Sequence, residues 1–172
     1  MDELRSFIRD VPDFPEPGIL FKDITPLLAD SQALGRALDL MTDPHREQSI
    51  SHVAGIEARG FILATPVAGR LGAGFVPIRK PEKLPWKTVQ TTYDLEYGSD
   101  GLEVHADAVG PGDRVLVVDD VLATGGTAVA AVQLLQSLGA DVVAVAVLVE
   151  LAFLGGRAKF DVPIDAVIVY DG

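Results

Sequence analysis

The stretch of sequence that decides the fold is Val115-Leu116-Val117-Val118-Asp119-Asp120-Val121-Leu122-Ala123-Thr124-Gly125-Gly126-Thr127. Its first four residues are apolar and do not alternate with polar ones, which predicts a short strand buried on both faces. Beyond the stretch, apolar residues recur at helical spacing from Val129 to a stop at Gly139. The pattern therefore predicts a turn between a parallel strand and a helix, at the sheet edge where open α/β folds bind ligands.

The turn in this stretch carries groups that suit a sugar phosphate. Its two glycines let backbone N–H groups converge, its two threonines add hydroxyl donors, and the helix N-terminus has a partial positive charge. Asp119 and Asp120 lie at the same edge of the predicted sheet and face the same candidate ligand site. Carboxylates pair well with vicinal ribose hydroxyls or a hydrated Mg²⁺. Either half alone is explained equally well by ordinary chain structure, but the two together favour a ligand site. No lysine follows the glycines, which excludes a Walker A loop.

Composition narrows the class of protein. The 172 residues fit one domain, residues 1–172, and the 48% hydrophobic content excludes a disordered chain. No apolar run reaches the roughly 18 residues of a membrane span, and a net charge of −11 argues against nucleic-acid or membrane-surface partners. The chain has no cysteine and its first residues lack the pattern of a signal peptide, so we expect a cytoplasmic protein.

Two further segments carry candidate anion ligands. A predicted strand over residues 53–56 is followed by Glu57-Ala58-Arg59-Gly60 and a helical pattern, so Arg59 lies at a second sheet-edge turn, with Glu57 as its candidate tether. A predicted strand over residues 75–78 leads into residues 79–87, which contain four cations and one glutamate. Because this segment starts at the carboxyl end of a strand, it can direct positive charge at the same mouth, and pyrophosphate is an anion that it would suit.

The remaining pattern completes an α/β domain. The predicted helices cover residues 2–10 and 31–47, and the second is capped by Ser31 and expected to end or kink early at Pro44. A weak helix over 153–159, strands over 142–149 and 166–170, and a hairpin over 88–106 that turns at 98–101 complete the pattern. Five strands interleaved with helices predict a doubly wound, mainly parallel five-stranded sheet. A hairpin inserted beside a binding mouth is suited to be a lid.

The 115–127 stretch resembles the phosphoribosyl-pyrophosphate signature of the type I phosphoribosyltransferases, and the resemblance extends over nearly the whole chain. It is greatest for the branch of that family that uses adenine. The segments that carry this narrower resemblance are residues 12–26, 57–61, 79–80, 83–85, 93–98 and 148–151.

The resemblance implies both a fold and a reaction. The fold is the type I phosphoribosyltransferase fold, with a small N-terminal hood in the base-binding segment 1–30 and a flexible lid over residues 80–106. The reaction transfers ribose 5-phosphate from 5-phosphoribosyl 1-pyrophosphate (PRPP) to adenine, giving AMP and pyrophosphate with Mg²⁺. Members of the family are typically homodimers.

The resemblance also implies roles for individual residues. Ala123, Thr124, Gly125, Gly126 and Thr127 would hold the 5-phosphate, and Asp119 and Asp120 the ribose hydroxyls, with Mg²⁺ carried by PRPP near these carboxylates. Arg59, Arg79, Lys80 and Lys83 would contact pyrophosphate. Leu20, Phe21 and Leu151 would sandwich adenine, and backbone groups around Leu20 and Lys22 would read its edge. Glu96, on the lid, resembles the residue that handles the adenine proton, so Glu96 and Arg59 are the candidate catalytic residues.

Two alternatives stay open. A phosphoribosyltransferase for a 6-oxopurine or for orotate usually recognises the oxo group of the base with a side-chain donor, whereas Leu151 offers none. A regulator that only senses PRPP would normally carry an added DNA-binding domain. This chain of 172 residues has neither spare length for such a domain nor a basic face. In one departure from the family pattern, Glu82 occupies a position in the cationic segment that is often glycine, which puts the pyrophosphate contact of Lys83 in question.

Overall fold

The computed structural model of this chain describes residues 2–95 and 98–172. In these ranges the strands are β1 (Arg9–Pro12), β2 (Leu20–Asp23), β3 (His52–Ile56), β4 (Gly74–Ile78), β5 (Thr88–Leu95), β6 (Gly98–His105), β7 (Arg114–Leu122), β8 (Asp141–Leu151) and β9 (Ile164–Tyr170). The α-helices are α1 (Asp2–Arg5), α2 (Thr25–Ala29), α3 (Ser31–Thr42), α4 (Arg59–Leu71) and α5 (Gly126–Ser137). Short 3₁₀ turns cover Asp43–His45, Ala152–Leu154 and Gly156–Lys159.

The central sheet has five parallel strands in the order β4-β3-β7-β8-β9. β7 lies in the middle of this sheet, and the side chains of Val115, Leu116, Val117 and Val118 are completely buried. Two-sided burial is what their unbroken apolar sequence predicts, because a parallel strand between two helical layers has no solvent face. The predicted doubly wound five-stranded sheet is confirmed.

Helices cover both faces of the sheet. On one face, α3 and α4 pack their buried residues against the side chains of Leu116 and Val118. On the other face, α5 and the apolar residues Leu102 and Val104 of β6 pack against Val115 and Val117. The alternate side chains of β7 therefore enter two separate cores, and this fixes the 119–127 turn at the sheet's carboxyl edge.

The N-terminal prediction of one helix over residues 2–10 is wrong. The helix α1 ends at Arg5, and β1 pairs antiparallel with β2, with Val11 opposite Phe21. The pairing partner lies about ten residues away, beyond the proline-rich segment, so local periodicity does not reveal it. The two strands form the small N-terminal hood that the family resemblance implies.

Two other local predictions need correction. The cap of α3 is Asp30, whose side chain accepts hydrogen bonds from the backbone N–H groups of Gln32 and Ala33 at 3.0 and 2.9 Å, so Ser31 is the first helical residue. This helix ends at Thr42, early as Pro44 predicts, and the 3₁₀ turn that contains Pro44 follows it. The weak helix expected over residues 153–159 is a pair of 3₁₀ turns.

The hairpin of β5 and β6 is confirmed, but its predicted turn at residues 98–101 is wrong. Strand pairing continues to Leu95 opposite Gly98, so Gly101 lies inside β6 opposite Thr92. A Cβ atom at Gly101 would lie 2.8 Å from the Pro81 ring. The glycine therefore permits the cationic segment to approach the hairpin closely, and it does not mark a turn. None of the described helices is long and apolar enough to cross a membrane.

Candidate active site

A cavity of about 340 Å³ opens at the carboxyl ends of β3 and β7. Its walls are Lys80 and residues 56–59 and 119–128. The sheet order explains this meeting, because β3 and β7 are hydrogen-bonded neighbours although about sixty residues separate them. The structure thus brings together Arg59, Lys80, the two aspartates and the Thr-Gly-Gly-Thr turn, as the sequence predicts.

The glycine turn has the geometry of an anion site. Gly125 has φ of +84°, a conformation that favours glycine, and it is the N-cap residue of α5. Its carbonyl accepts the first helical hydrogen bond, from Val129 N at 2.9 Å. The N–H groups of the first turn of α5 have no acceptor within the helix, so they are free to bind an anion beside the positive end of the helix dipole.

Asp119 and Asp120 are adjacent but differ in their surroundings. Asp120 is only 4% exposed and accepts a hydrogen bond from Nε of Arg59. The Asp119 carboxylate accepts a bond from the backbone N–H of Asp120 at 2.9 Å. Burial, followed by the negative charge of Asp120, raises the pKa of Asp119 well above its usual range. The surroundings of Asp119 therefore disfavour its ionised form. A carboxyl group with such a shifted pKa in a cavity is typical of a functional residue.

Glu57 is not the tether of Arg59, contrary to expectation. Its carboxylate accepts two bonds from the guanidinium of Arg79, at 3.1 and 3.0 Å, and one from the backbone N–H of Lys80 at 3.0 Å. These bonds, with the Arg79 bond largest, lower the pKa of Glu57. Arg79 also donates to the carbonyl of Lys83 at 3.0 Å. Arg79 thereby holds the cationic segment in shape, and it does not line the cavity.

Lys80 reaches the cavity and is held by the hairpin. Its ammonium group donates to the carboxylate of Asp100 and to the hydroxyl of Tyr93, the latter at 3.1 Å. Burial lowers the pKa of Lys80, but these two bonds outweigh it and leave the pKa above its usual value. The Thr127 hydroxyl donates to the Tyr93 hydroxyl at 3.2 Å. A single chain of hydrogen bonds therefore joins the hairpin, the cationic segment and the glycine turn.

Lys83 lies on an exposed part of the cationic segment, outside the cavity wall. Its backbone N–H and that of Leu84 donate to the buried carboxylate of Glu103, each at 2.8 Å. Burial raises the pKa of Glu103, but these backbone bonds outweigh it and leave the pKa lowered. Glu103 therefore anchors the segment that carries Lys83 to β6.

The predicted adenine wall lies next to Arg59. The Phe21 ring packs edge-on against Phe14, with centroids 5.1 Å apart, and the Arg59 guanidinium lies 5.3 Å from the Phe21 centroid. Leu20 is 49% exposed, which leaves its side chain available for a ligand.

The remaining two base-site candidates meet through Tyr170. Lys22 donates to Asp10 at 2.6 Å, and its ammonium group lies 4.2 Å from the Tyr170 ring centroid. Leu151, at the end of β8, is the pairing partner of Tyr170 on β9. The Lys22 side chain is thus occupied within the hood, so only its backbone is left to face a base.

Sequence reasoning missed two of the carboxylates that hold the cationic segment, Asp100 and Glu103, and assigned the third, Glu57, to the wrong cation, Arg59. Glu57, Asp100 and Glu103 each bind Arg79, Lys80 or the backbone of the cationic segment. Glu103 has one local signal, because it is a charged residue between the apolar residues Leu102 and Val104. Asp100 has none. Glu96, the candidate for the adenine proton, lies outside the described residues.

The family of the phosphoribosyl transferase domain matches residues 27–165. A curated adenine phosphoribosyltransferase of Bradyrhizobium sp. (strain ORS 278) is 55% identical over 173 aligned positions, which cover 99% of this chain and 97% of the relative.

Solved structures agree with the sequence relatives. The adenine phosphoribosyltransferase of Rhodothermus marinus is 51% identical, with a TM-score of 0.94 over 98% of this chain and 97% of the other. The enzyme of Saccharomyces cerevisiae, solved in complex with an imino-altritol bisphosphate and adenine, is 37% identical, with a TM-score of 0.92 over 96% of this chain and 97% of the other.

Proposed function

The chain belongs to the adenine phosphoribosyltransferase family, and from that premise we infer that it transfers ribose 5-phosphate from PRPP to adenine in purine salvage, releasing pyrophosphate and forming AMP. The observation that carries the inference is the cavity in which the glycine turn of α5, the Asp119–Asp120 pair, Arg59 and Lys80 converge. An anion site, two acceptors and two cations are what a donor with a 5-phosphate, ribose hydroxyls and pyrophosphate requires.

The donor occupies this cavity with its 5-phosphate against the N-terminus of α5. The N–H groups of the 123–127 turn are the donors for it, and the Thr127 hydroxyl becomes another when it turns from Tyr93 to the phosphate. The free carboxylate oxygens of Asp119 and Asp120 accept bonds from the ribose hydroxyls. The high pKa of Asp119 supports this role, because hydroxyl donors would stabilise the charge that burial opposes.

Charge separates as the reaction proceeds, and the cavity's charges complement it. Pyrophosphate leaves the anomeric carbon with growing negative charge, while positive charge develops on the sugar ring. Arg59 and Lys80 stabilise the leaving group directly. Arg79 acts on the pyrophosphate only indirectly, by holding the cationic segment in shape, because its guanidinium is bound by Glu57. Lys83, on an exposed part of the same segment, reaches the leaving group from outside the cavity wall.

Adenine lies between the hood and the end of β8. Leu20 and Phe21 form one side and Leu151 the other, with backbone groups of Leu20 and Lys22 at the edge of the base. An aromatic face against a purine contributes beyond the area that it buries. Glu96 accepts the adenine proton, and closure of the lid, residues 80–106, excludes water that would hydrolyse the donor.

Mg²⁺ is part of the proposed reaction and enters with PRPP. The described residues contain no group of three or more His, Cys, Asp or Glu side chains that could hold a metal ion. The donor set at Asp119 and Asp120 nevertheless fits a hydrated Mg²⁺, which favours carboxylate oxygens and keeps several waters. When bound, the ion supplies positive charge to the pyrophosphate oxygens.

A homodimer in the cytoplasm completes the proposal. The absence of cysteine supports the location. An apolar patch at the edge of the sheet supports the dimer: Ile62 of α4 and Phe75 of the edge strand β4 are 48% and 37% exposed. Phe61 contacts the Phe75 ring edge-on, with centroids 5.7 Å apart. Apolar rings at an edge strand are suited to cover the same surface on a second copy.

Light scattering on the purified chain at micromolar concentration is expected to give twice the mass of one chain. Ile62→Asp places a charge in the patch and is expected to give the mass of a monomer, because an unpaired charge is costly to bury at an interface. Gln133→Asp, at an exposed position of α5 on the other face of the sheet, is the control and is expected to leave the dimer intact. A monomeric wild type would contradict the dimer without affecting the assigned reaction.

A panel of bases tests the reaction itself. The protein is incubated with PRPP, Mg²⁺ and adenine, hypoxanthine, guanine or orotate, and pyrophosphate release is followed. Release with adenine alone is expected, because Leu151 provides no donor for an oxo group. Turnover of an oxopurine instead of adenine would contradict the assignment of adenine as the substrate. PRPP binding without turnover of any base would show that the protein is a sensor of PRPP.

A further inference from the structure

The 3₁₀ turn of Gly156–Lys159 lies directly behind the glycine turn that faces the cavity. A Cβ atom at Gly156 would overlap the carbonyl oxygen of Ala123 and would lie 3.0 Å from the backbone nitrogen of Gly125. Conversely, a Cβ atom at Gly125 would lie 2.9 Å from the carbonyl oxygen of Gly156. The two backbones are therefore in contact, and they reach this distance only because both residues lack a side chain.

The 3₁₀ turn is itself fixed to the sheet. Arg157 donates from Nε to the carboxylate of Glu150 at 2.9 Å, and a second nitrogen of the same guanidinium also bonds this carboxylate. Its remaining terminal nitrogen donates to the carbonyl of Ile164 at 2.7 Å. Glu150 is 3% exposed at the end of β8, and Ile164 begins β9. One side chain thus joins the turn to two neighbouring strands of the sheet.

This arrangement restricts how the glycine turn can move. The carbonyl of Ala123 lies on the side of Gly156, so the negative end of this peptide dipole is kept away from the anion site. The ring of Phe160 adds a second barrier, because it lies 3.2 Å from the position of a Cβ atom at Gly125. Gly156 does not line the cavity, so it acts on a ligand only through the glycine turn.

We propose that Gly156, held in place by the Arg157–Glu150 pair, is a positioning residue that sets the backbone of the 123–127 turn for the 5-phosphate of the donor. The inference rests on the proposed function. It adds a structural reason for the second glycine of the Gly155-Gly156 pair, since contact with the phosphate turn requires a glycine only at position 156. A residue that orients N–H donors affects binding of the phosphate end and leaves the acceptor base unaffected.

Gly156→Ala tests this role, and Gly155→Ala is its matched control. Gly155 has φ of +68° but no atom within 4 Å of its Cβ position, so alanine there strains the same 3₁₀ turn without touching the phosphate turn. We expect Gly156→Ala to raise KM for PRPP by about tenfold to a hundredfold, since a shift on the order of 1 Å misplaces the N–H donors. KM for adenine is expected to change less than about twofold.

Binding of ribose 5-phosphate, measured by calorimetry on the same proteins, is expected to weaken in parallel in Gly156→Ala and not in Gly155→Ala. Arg157→Lys is a second variant in case Gly156→Ala does not fold, because it keeps the charge but loses the fork that holds Glu150. It is expected to raise KM for PRPP severalfold with KM for adenine preserved.

Equal KM values for PRPP in Gly156→Ala and Gly155→Ala would overturn the inference, as would parallel rises in both KM values in Arg157→Lys. A wild type that does not release pyrophosphate from PRPP with adenine would instead overturn the proposed function. Assaying the wild type beside the variants therefore distinguishes failure of the Gly156 inference from failure of the proposed function.

Discussion

Arg59→Ala is expected to lower kcat/KM for AMP formation by about a hundredfold while the protein remains folded. The guanidinium of Arg59 bonds the buried carboxylate of Asp120 and lies 5.3 Å from the Phe21 centroid. It thus stands between the donor site and the wall for the base, where charge develops as pyrophosphate departs. Loss of one such preorganised contact costs about 3 kcal/mol of transition-state stabilisation, which is a factor of about a hundred.

Two effects contribute to this loss, and companion variants separate them. Arg59→Ala removes a cation and also leaves Asp120, which is 4% exposed, without its partner. Arg59→Lys keeps the charge but not the geometry of the pair. Asp120→Asn removes the carboxylate and is expected to lower turnover by a similar factor.

The double variant Arg59→Ala/Asp120→Asn is expected to lose less activity than the sum of the two single losses in free energy, because the residues are in direct contact. Steady-state kinetics with PRPP and adenine give the rates, and circular dichroism and thermal unfolding report whether each variant is folded. Wild-type rates in folded Arg59→Ala would show that Arg59 does not belong to the reacting site.

Asp119→Asn is expected to raise stability at neutral pH by about 1 kcal/mol and to lower kcat/KM by about a hundredfold. Burial and the charge of Asp120 raise the pKa of Asp119, so the folded state disfavours the ionised form. An asparagine keeps an oxygen that can accept the bond from the backbone N–H of Asp120. It removes the buried charge and also one of the acceptors proposed for the ribose hydroxyls.

The sign of the pH dependence follows from the raised pKa. The native state holds the Asp119 proton more tightly than the unfolded chain, so stability is greatest below the usual pKa of an aspartic acid and decreases as the pH rises through the pKa of the folded state. The stability advantage of Asp119→Asn should therefore be small in acid and grow toward neutral pH.

Urea unfolding over a pH series measures this advantage. Asp161→Asn, at an exposed position, is the control and is expected to show no such trend. A variant that is less stable than the wild type at neutral pH would contradict the burial cost assigned to Asp119. Retained activity would contradict its proposed contact with the ribose.

Much of the fold is predictable because its decisive patterns are local. The apolar run before Asp119 marks a strand buried on both faces, and the Thr-Gly-Gly-Thr turn marks the start of a helix. The errors occur where a distant partner outweighs the local pattern. Gly101 looks like a turn residue but serves a close approach to Pro81, and residues 9–10 are predicted to end a helix but begin a strand that pairs with β2.

The candidate site divides in the same way. Residues at strand ends, such as Arg59 and Asp120, are predictable as a group because the carboxyl ends of parallel strands meet at one edge. Which of these charged residues form ion pairs with each other is not predictable. Glu57 adjoins Arg59 in sequence but binds Arg79, because the side chain that faces it comes from the end of β4.

The sequence by itself determined the sheet, the phosphate turn and the set of charged residues at its edge, because strand burial, glycine turns and helix starts are encoded within short segments. Only the tertiary structure decided which carboxylate holds which cation, that the pKa of Asp119 is raised, and that Gly156 contacts the phosphate turn from behind. Those outcomes depend on contacts between segments that lie tens of residues apart. Distance in space and desolvation, which set ion pairs and pKa values, exist only once the chain has folded.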